Sequence, residues 1–106
     1  HCITNRAVMT ACRPVPKNTV REILCFEVLS STEWATAAQE PFLPNIFVDI
    51  SDNLEQKIEA LHAYQLEMRS APHSRSIEHA VSLACHRGNS IGAAAAEAFM
   101  LLRMIR

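Results

Sequence analysis

Hydroxyl, carboxylate and aromatic side chains are concentrated in one short stretch, Ser-Ser-Thr-Glu-Trp at positions 30–34. It follows an apolar run from Val20 to Leu29, so we predict that it lies where a strand ends. Ligands of α/β sheets bind at the carboxyl ends of the strands. A carboxylate beside a tryptophan resembles a sugar-binding pairing, although a lone tryptophan more often serves packing. The candidate binding residues of this stretch are Ser31, Thr32, Glu33 and Trp34.

A second polar group stands in Ala-Pro-His-Ser-Arg-Ser at positions 71–76. His73 and Arg75 lie there beside two serines, at the predicted start of a helix. A helix N-terminus favours negative charge, so this loop predicts an oxyanion or sugar-hydroxyl site. The alternative is that the serines only cap the helix while His73 and Arg75 stay solvated.

Glu27 is a carboxylate inside the apolar run, where we predict that it lies on the same face of the strand as Cys25 and Leu29. A buried carboxylate needs a hydrogen-bonded partner, or its pKa rises. Two interpretations are open. Glu27 forms a structural salt bridge with an arginine, or it takes part in catalysis.

Five histidines raise the possibility of a metal site. His79 and His86 are seven residues apart, about 10 Å along a helix axis, which is too far for one ion without help from another segment. His62 falls on the polar side of its predicted helix. We therefore predict surface roles for these three. The sequence contains no G-x-S-x-G, P-loop or H-E-x-x-H motif.

Length and composition indicate one globular domain over residues 1–106. A net charge of -1 gives no long-range attraction to nucleic acid or to an anionic membrane. The four cysteines are widely spaced and form no C-x-x-C pair, which predicts reduced thiols in a cytoplasmic protein. No apolar run is long enough to span a membrane.

The predicted elements alternate between strands and helices. Helical spacing over residues 2–12 ends at Pro14, the run from Val20 to Leu29 predicts a strand covered on both sides, and 46–50 predicts a second strand. The intervening loop, 35–45, is long enough to be a functional loop.

The second half of the chain predicts two helices and an ambiguous tail. Asp52 and Glu55 resemble a capping box that starts a helix reaching about Arg69. Ser74 or Ser76 would cap the next helix, which Gly88 would end. We predict that this helix turns four residues inward, namely Ile77, Val81, Ala84 and Cys85. In the tail, the alanines favour a helix to about Ala98, while residues 99–105 are either helical or a strand that joins the sheet. The whole pattern predicts an α/β fold.

Several segments taken in order resemble one known family: NTVREILCFEVLSSTEW, PFLPNIFVDIS, LEQKIEALHAYQLEMR, APHSRSIEHAVSLACHRG and AAEAFMLLR. They look like the C-terminal half of the LmbE-like (PIG-L) zinc-dependent N-acetylglucosaminyl deacetylases. The resemblance implies the C-terminal part of a Rossmann-like three-layer fold, with about three helices, two or three short strands and an incomplete sheet. It also implies that Glu33, Trp34, His73 and Arg75 line a sugar site for an N-acetylglucosaminyl small molecule or glycolipid-like substrate.

In that family a His-Pro-Asp-Asp motif supplies two zinc ligands and the general base, and a His-x-Asp-His motif supplies the third ligand. By resemblance, His1 is the third ligand, and the bound zinc would activate water against the N-acetyl carbonyl. This sequence contains no His-Pro-Asp-Asp motif, and Ser74 stands where the family usually has proline. We therefore expect a fragment that is inactive alone and forms a homo-oligomer, or alternatively a non-catalytic oligomeric module derived from that fold.

Overall fold

The computed structural model describes residues 2–36 and 41–106 of the chain. Within these ranges lie three α-helices, three strands and one short 3-10 helix, Ser51–Asn53. The helices are α1 (Cys2–Ala11), α2 (Leu54–His62) and α3 (Ile77–Asn89), and the strands are β1 (Glu22–Phe26), β2 (Ile46–Asp49) and β3 (Ala96–Met104). The predicted small α/β fold, with three helices and an incomplete sheet, is confirmed. None of the described helices is both long enough and apolar enough to cross a membrane.

The sheet has its last strand in the middle. The strand order is β1-β3-β2, and both neighbours run antiparallel to β3. Phe99 lies opposite Phe26 on one side and opposite Ile46 on the other. Directly opposed residues of paired strands point to the same face, so these three side chains share one face of the sheet.

Helix α3 packs against β3 through small residues. Ala80, Ala84 and Gly88 are its buried positions, spaced four residues apart on one face. A Cβ at Gly88 would lie 2.7 Å from the Cα of Ala95, so this position requires glycine for the close approach of helix and chain. The prediction that Gly88 ends the helix is wrong, because α3 continues to Asn89 and its C-cap is Ser90. Of the four residues predicted to point inward, Ala84 is buried, and Ile77, Val81 and Cys85 are half-buried.

The C-terminal alanines belong to the sheet. Ala96 and Ala98 are almost fully buried in β3, although alanine favours helices. The prediction of a helix to about Ala98 is wrong, and the alternative of a strand is confirmed with an earlier start. Tertiary packing decides here, because only small side chains let α3 lie so close to β3.

Strand β1 is covered on one face only. Ile23 is buried, whereas Leu24 and Phe26 are exposed, so the predicted coverage on both sides is wrong. The strand also ends at Phe26 rather than at Leu29, which places Glu27 in the loop that follows. A continuous apolar run led to the error, since such a run is typical of a strand buried on both faces.

Helix α2 is shorter than predicted and is not started by a capping box. Its N-cap is Asn53, whose side chain makes no capping hydrogen bond, and the helix ends at His62 instead of about Arg69. Beyond it the chain forms turns in which Tyr64 and Leu66 are exposed. Without packing, a helical turn there gains too little to persist.

Candidate functional site

The loop after β1 is held by its own hydroxyls. The Thr32 Oγ1 accepts a hydrogen bond of 2.8 Å from the N–H of Val28, and the Thr32 N–H donates back to the Val28 carbonyl at 2.9 Å. Ser31 donates its N–H to the same carbonyl. These bonds close a tight turn that directs the next residues toward α3.

Ser30 is the strained position of that turn. Its φ is 63°, in the left-handed region that residues with a side chain rarely adopt, and it is buried. A strained, buried, polar residue persists only where its surroundings hold it. Its partners are Glu33 and Arg75, described next.

Glu33 folds back onto the turn. Its Oε1 accepts a hydrogen bond of 2.6 Å from the N–H of Ser30. Partial burial acts to raise the pKa of the Glu33 carboxyl, but the Ser30 N–H and Glu33's own N–H outweigh it, and the pKa lies below its ordinary value of 4.5. The nearby Ser74 hydroxyl, which makes no hydrogen bond of regular geometry among the described residues, and His79 lower the pKa further. Glu33 is therefore an ionised acceptor at neutral pH.

Arg75 joins the two polar loops. Its Nε donates to the Ser30 Oγ at 2.6 Å, and its Nη1 donates to the Glu67 carboxylate at 2.8 Å. Its backbone N–H donates to the Nδ1 of His73 at 3.0 Å, which fixes the orientation of the imidazole. Arg75 thus orients its near neighbour His73 and also binds Ser30, which lies 45 residues earlier in the sequence.

Trp34 and His73 form the exposed side of this arrangement. Their ring centroids are 6.0 Å apart, with the ring planes at 68°, so an edge meets a face. The indole is 62% exposed, which leaves most of its surface available to a ligand. We call Ser30, Glu33, Trp34, His73 and Arg75 the inter-loop cluster.

The structure brings together four of the six predicted binding residues in this cluster, Glu33, Trp34, His73 and Arg75. The other two, Ser31 and Thr32, have local roles in the turn. Sequence reasoning missed three contributors, namely Ser30, Glu67 and His79. No sequence signal marks a serine with positive φ, or a glutamate that pairs across eight residues outside a helix.

The start of α3 follows one of the two capping alternatives. Ser76 is the N-cap and accepts a hydrogen bond of 3.1 Å from the N–H of His79, while Ser74 stays behind it in the loop. The alternative in which His73 and Arg75 are merely solvated is wrong, because both are half-buried and hydrogen-bonded.

An open groove of about 640 Å³ adjoins the inter-loop cluster. Glu33 belongs to the cluster and also lines the groove. Thr32 and His79 add polar groups to the groove wall. The described wall residues that are apolar are Val28, Leu29, Ala35, Pro41, Phe42 and Leu83.

Glu27 and Arg87 also line this groove, and they form an ion pair with each other. The Arg87 Nε donates to Glu27 Oε2 at 3.0 Å, and the Arg87 Nη2 donates to Oε1, so the pair is bidentate. The Glu27 side chain is only 15% exposed, and the Arg87 side chain 20%. Of the two interpretations of Glu27, the structural salt bridge is the one confirmed.

The described residues do not form a zinc site. No group of three or more His, Cys, Asp or Glu side chains in residues 2–36 and 41–106 has the geometry to hold a metal ion. His1, the metal ligand implied by resemblance, lies outside the described residues. Cys12, Cys25 and Cys85 form no disulfide bond among the described residues.

Comparisons of the chain with protein-family models, with curated proteins and with solved structures each find no significant match.

Proposed function

We propose that this protein is the substrate-side part of an LmbE-like zinc-dependent deacetylase and binds N-acetylglucosamine-containing small molecules at the inter-loop cluster. One observation carries the proposal. The Ser30–Arg75 hydrogen bond, at 2.6 Å, brings Glu33 and Trp34 of one loop beside His73 and Arg75 of another. These are the same four residues that the resemblance assigns to a sugar site.

The chemistry of the cluster suits a sugar. An exposed indole offers a flat apolar surface to the C–H face of a pyranose ring. Glu33 uses Oε1 for the Ser30 N–H, and an ionised carboxylate has further acceptor positions that can take a hydrogen bond from a sugar hydroxyl. The Arg75 Nη2 likewise makes no hydrogen bond to the described part of the chain and can donate to a hydroxyl or carbonyl oxygen.

The described residues do not fit a zinc ion, so they have no part in activating water. In the proposed assignment, this chain binds and orients the sugar. The ligands for zinc and the general base that the family uses would come from the His-Pro-Asp-Asp motif, which this sequence does not contain.

The proposal is tested by NMR titration of the protein with methyl N-acetyl-β-glucosaminide. We expect saturable shifts of the Trp34 indole N–H and of the His73 ring. Trp34→Ala should weaken binding by roughly tenfold, since one stacking contact is worth about 1–3 kcal/mol when measured on planar ligands. Shifts that do not saturate, or that do not involve Trp34, would overturn the proposal.

Two controls separate the site from general effects. Tyr64→Ala removes another exposed aromatic side chain, one that does not belong to the cluster, and keeps the backbone carbonyl that accepts from Glu67, so it should leave binding unchanged. Glu33→Gln keeps the shape of the side chain but removes its charge, and should weaken binding less than Trp34→Ala does. Equal loss in Tyr64→Ala and Trp34→Ala would show that the sugar contacts aromatic surface without a site.

The second candidate, a non-catalytic oligomeric module, is favoured by a different observation. Leu24, Phe26 and Val48 are exposed on the sheet, as a surface for association would require. Absence of sugar binding together with stable self-association would support this function over the first.

A further inference from the structure

The groove beside the inter-loop cluster has the size of a small-molecule site. Its volume is about 640 Å³, and pockets that bind small ligands range from roughly 300 to 1,000 Å³. Three parts of the chain line it with apolar side chains: Val28 and Leu29 from the loop after β1, Phe42 from the segment before β2, and Leu83 from α3. Such a lining favours an apolar group of the ligand, and the charged residues of the wall decide which polar group accompanies it.

The charges of the wall do not balance. Glu27 is neutralised by Arg87, which is the only lysine or arginine among the wall residues that the structure describes. Glu33 belongs to none of the ion pairs found in residues 2–36 and 41–106, and His79 is counted as neutral at pH 7. Two carboxylates against one guanidinium leave the described wall with one negative charge. The adjoining segment 35–45 contains no lysine or arginine in its sequence, so it adds no positive charge.

The unbalanced carboxylate, Glu33, is fixed before a ligand arrives. Its Oε1 accepts the 2.6 Å hydrogen bond from the Ser30 N–H, and Arg75 binds the Ser30 hydroxyl. Binding to a group that is already in place costs less conformational entropy. An apolar ligand in the groove would displace water from this carboxylate, and the loss of hydration is offset only if the ligand donates a hydrogen bond to it.

We propose that the groove binds a small organic ammonium ion, with its N–H donating to the Glu33 carboxylate and its apolar group against Phe42 and Leu83. An ammonium group supplies both the opposite charge and a charge-assisted hydrogen bond. A neutral ligand supplies at most the hydrogen bond. An anion would meet the negative charge of Glu33, while the Arg87 guanidinium is already bound to Glu27.

This inference does not rest on the sugar-binding proposal, although Glu33 contributes to both sites. Trp34 and His73 do not line the groove, and Phe42 and Leu83 do not belong to the inter-loop cluster. Trp34→Ala should therefore weaken the binding of sugar alone, and Phe42→Ala the binding of the amine alone. The two proposals can thus fail separately.

NMR titration of the wild type with three compounds that share a phenyl group and a short alkyl chain tests the role of charge. They are 2-phenylethylamine, 2-phenylethanol and phenylacetate, which are cationic, neutral and anionic at neutral pH. We expect saturable shifts of the backbone amides of Val28, Leu29 and Leu83. The dissociation constant of the amine should be roughly fivefold below that of the alcohol, because an exposed ion pair contributes only modestly, and this advantage should shrink in high salt. Phenylacetate should bind most weakly. Equal affinity of amine and alcohol, or shifts that do not saturate, would overturn the proposal.

Two pairs of variants locate the site. Glu33→Gln removes the charge and keeps the shape of the side chain, so it should abolish the preference for the amine, whereas Glu59→Gln, at an exposed position of α2 outside the groove, should retain it. Phe42→Ala should weaken the binding of amine and alcohol alike, whereas Phe26→Ala, which removes a phenylalanine outside the groove, should leave both unchanged. A preference that survives Glu33→Gln, or equal losses in Phe42→Ala and Phe26→Ala, would count against the groove and overturn the proposal. If circular dichroism shows that a variant is misfolded, the wild-type comparison of the three compounds decides alone.

Discussion

Two arginines of this protein each hold a carboxylate, but in different surroundings. Arg87 binds Glu27 through two hydrogen bonds at a site where both side chains are at least four-fifths buried. Arg75 binds Glu67 through one nitrogen, with the glutamate 68% exposed, and uses a second nitrogen for the Ser30 hydroxyl. The first pair links α3 to the loop after β1. The second lies within the connection between α2 and α3, and it is the Ser30 bond of Arg75 that links this connection to the loop after β1.

The difference in burial indicates that the Glu27 carboxylate is structural and that the polar groups around Arg75 are accessible to a ligand. A charge that is removed from water must keep its partner, so Glu27 has no spare capacity for chemistry. An exposed pair exchanges its partner for water or a ligand at little cost. The inter-loop cluster is thus the more accessible of the two regions, and the Glu27–Arg87 pair is the more buried.

Glu27→Ala should produce the largest effect. It leaves the largely buried Arg87 guanidinium without its carboxylate, so we expect a loss of about 3 kcal/mol in the free energy of unfolding. Urea denaturation measures it, with Glu59→Ala on the exposed side of α2 as the control. A loss below about 0.5 kcal/mol would mean that the pair is solvated like a surface pair.

Glu33→Gln should have an intermediate effect that depends on pH. We expect a loss of about 1 kcal/mol at neutral pH, because the Ser30 N–H then donates to a neutral acceptor. Since the folded-state pKa of Glu33 is lowered, its ionised form stabilises the fold above the ordinary value of 4.5, and this contribution is lost as the pH falls through the folded-state pKa.

Urea denaturation of wild type and Glu33→Gln across the acidic range checks this dependence. The two stability curves should converge as the pH falls, because Asp49 and the other carboxylates are common to both proteins and cancel in the difference. A difference that is constant with pH would show that the Glu33 charge is not responsible.

Glu67→Gln should have the smallest effect. Its pair with Arg75 is exposed, so we expect a loss below about 0.5 kcal/mol that disappears in high salt. The same denaturation experiment, repeated at high ionic strength, measures it. A salt-independent loss as large as that of Glu27→Ala would remove the distinction between the two pairs.

The candidate site was predictable from sequence in its residue types but not in its assembly. The sequence alone marks Glu33, Trp34, His73 and Arg75. Their charged and aromatic side chains interrupt segments whose other residues predict a strand and a loop. The reason given for their position was wrong, because the sheet is antiparallel and β1 ends four residues before Ser30. It is the turn at Ser30, with its positive φ, that directs Glu33 and Trp34 toward α3.

By itself, the sequence determined where most elements lie and that the chain is a small α/β domain, because local periodicity, prolines and serine caps act over a few residues. Only the tertiary structure decided three matters. It placed Ala96 and Ala98 in a strand, it paired Glu27 with Arg87, and it joined Ser30 to Arg75. Each depends on contacts between residues remote in sequence, where close packing or a buried charge outweighs local propensity.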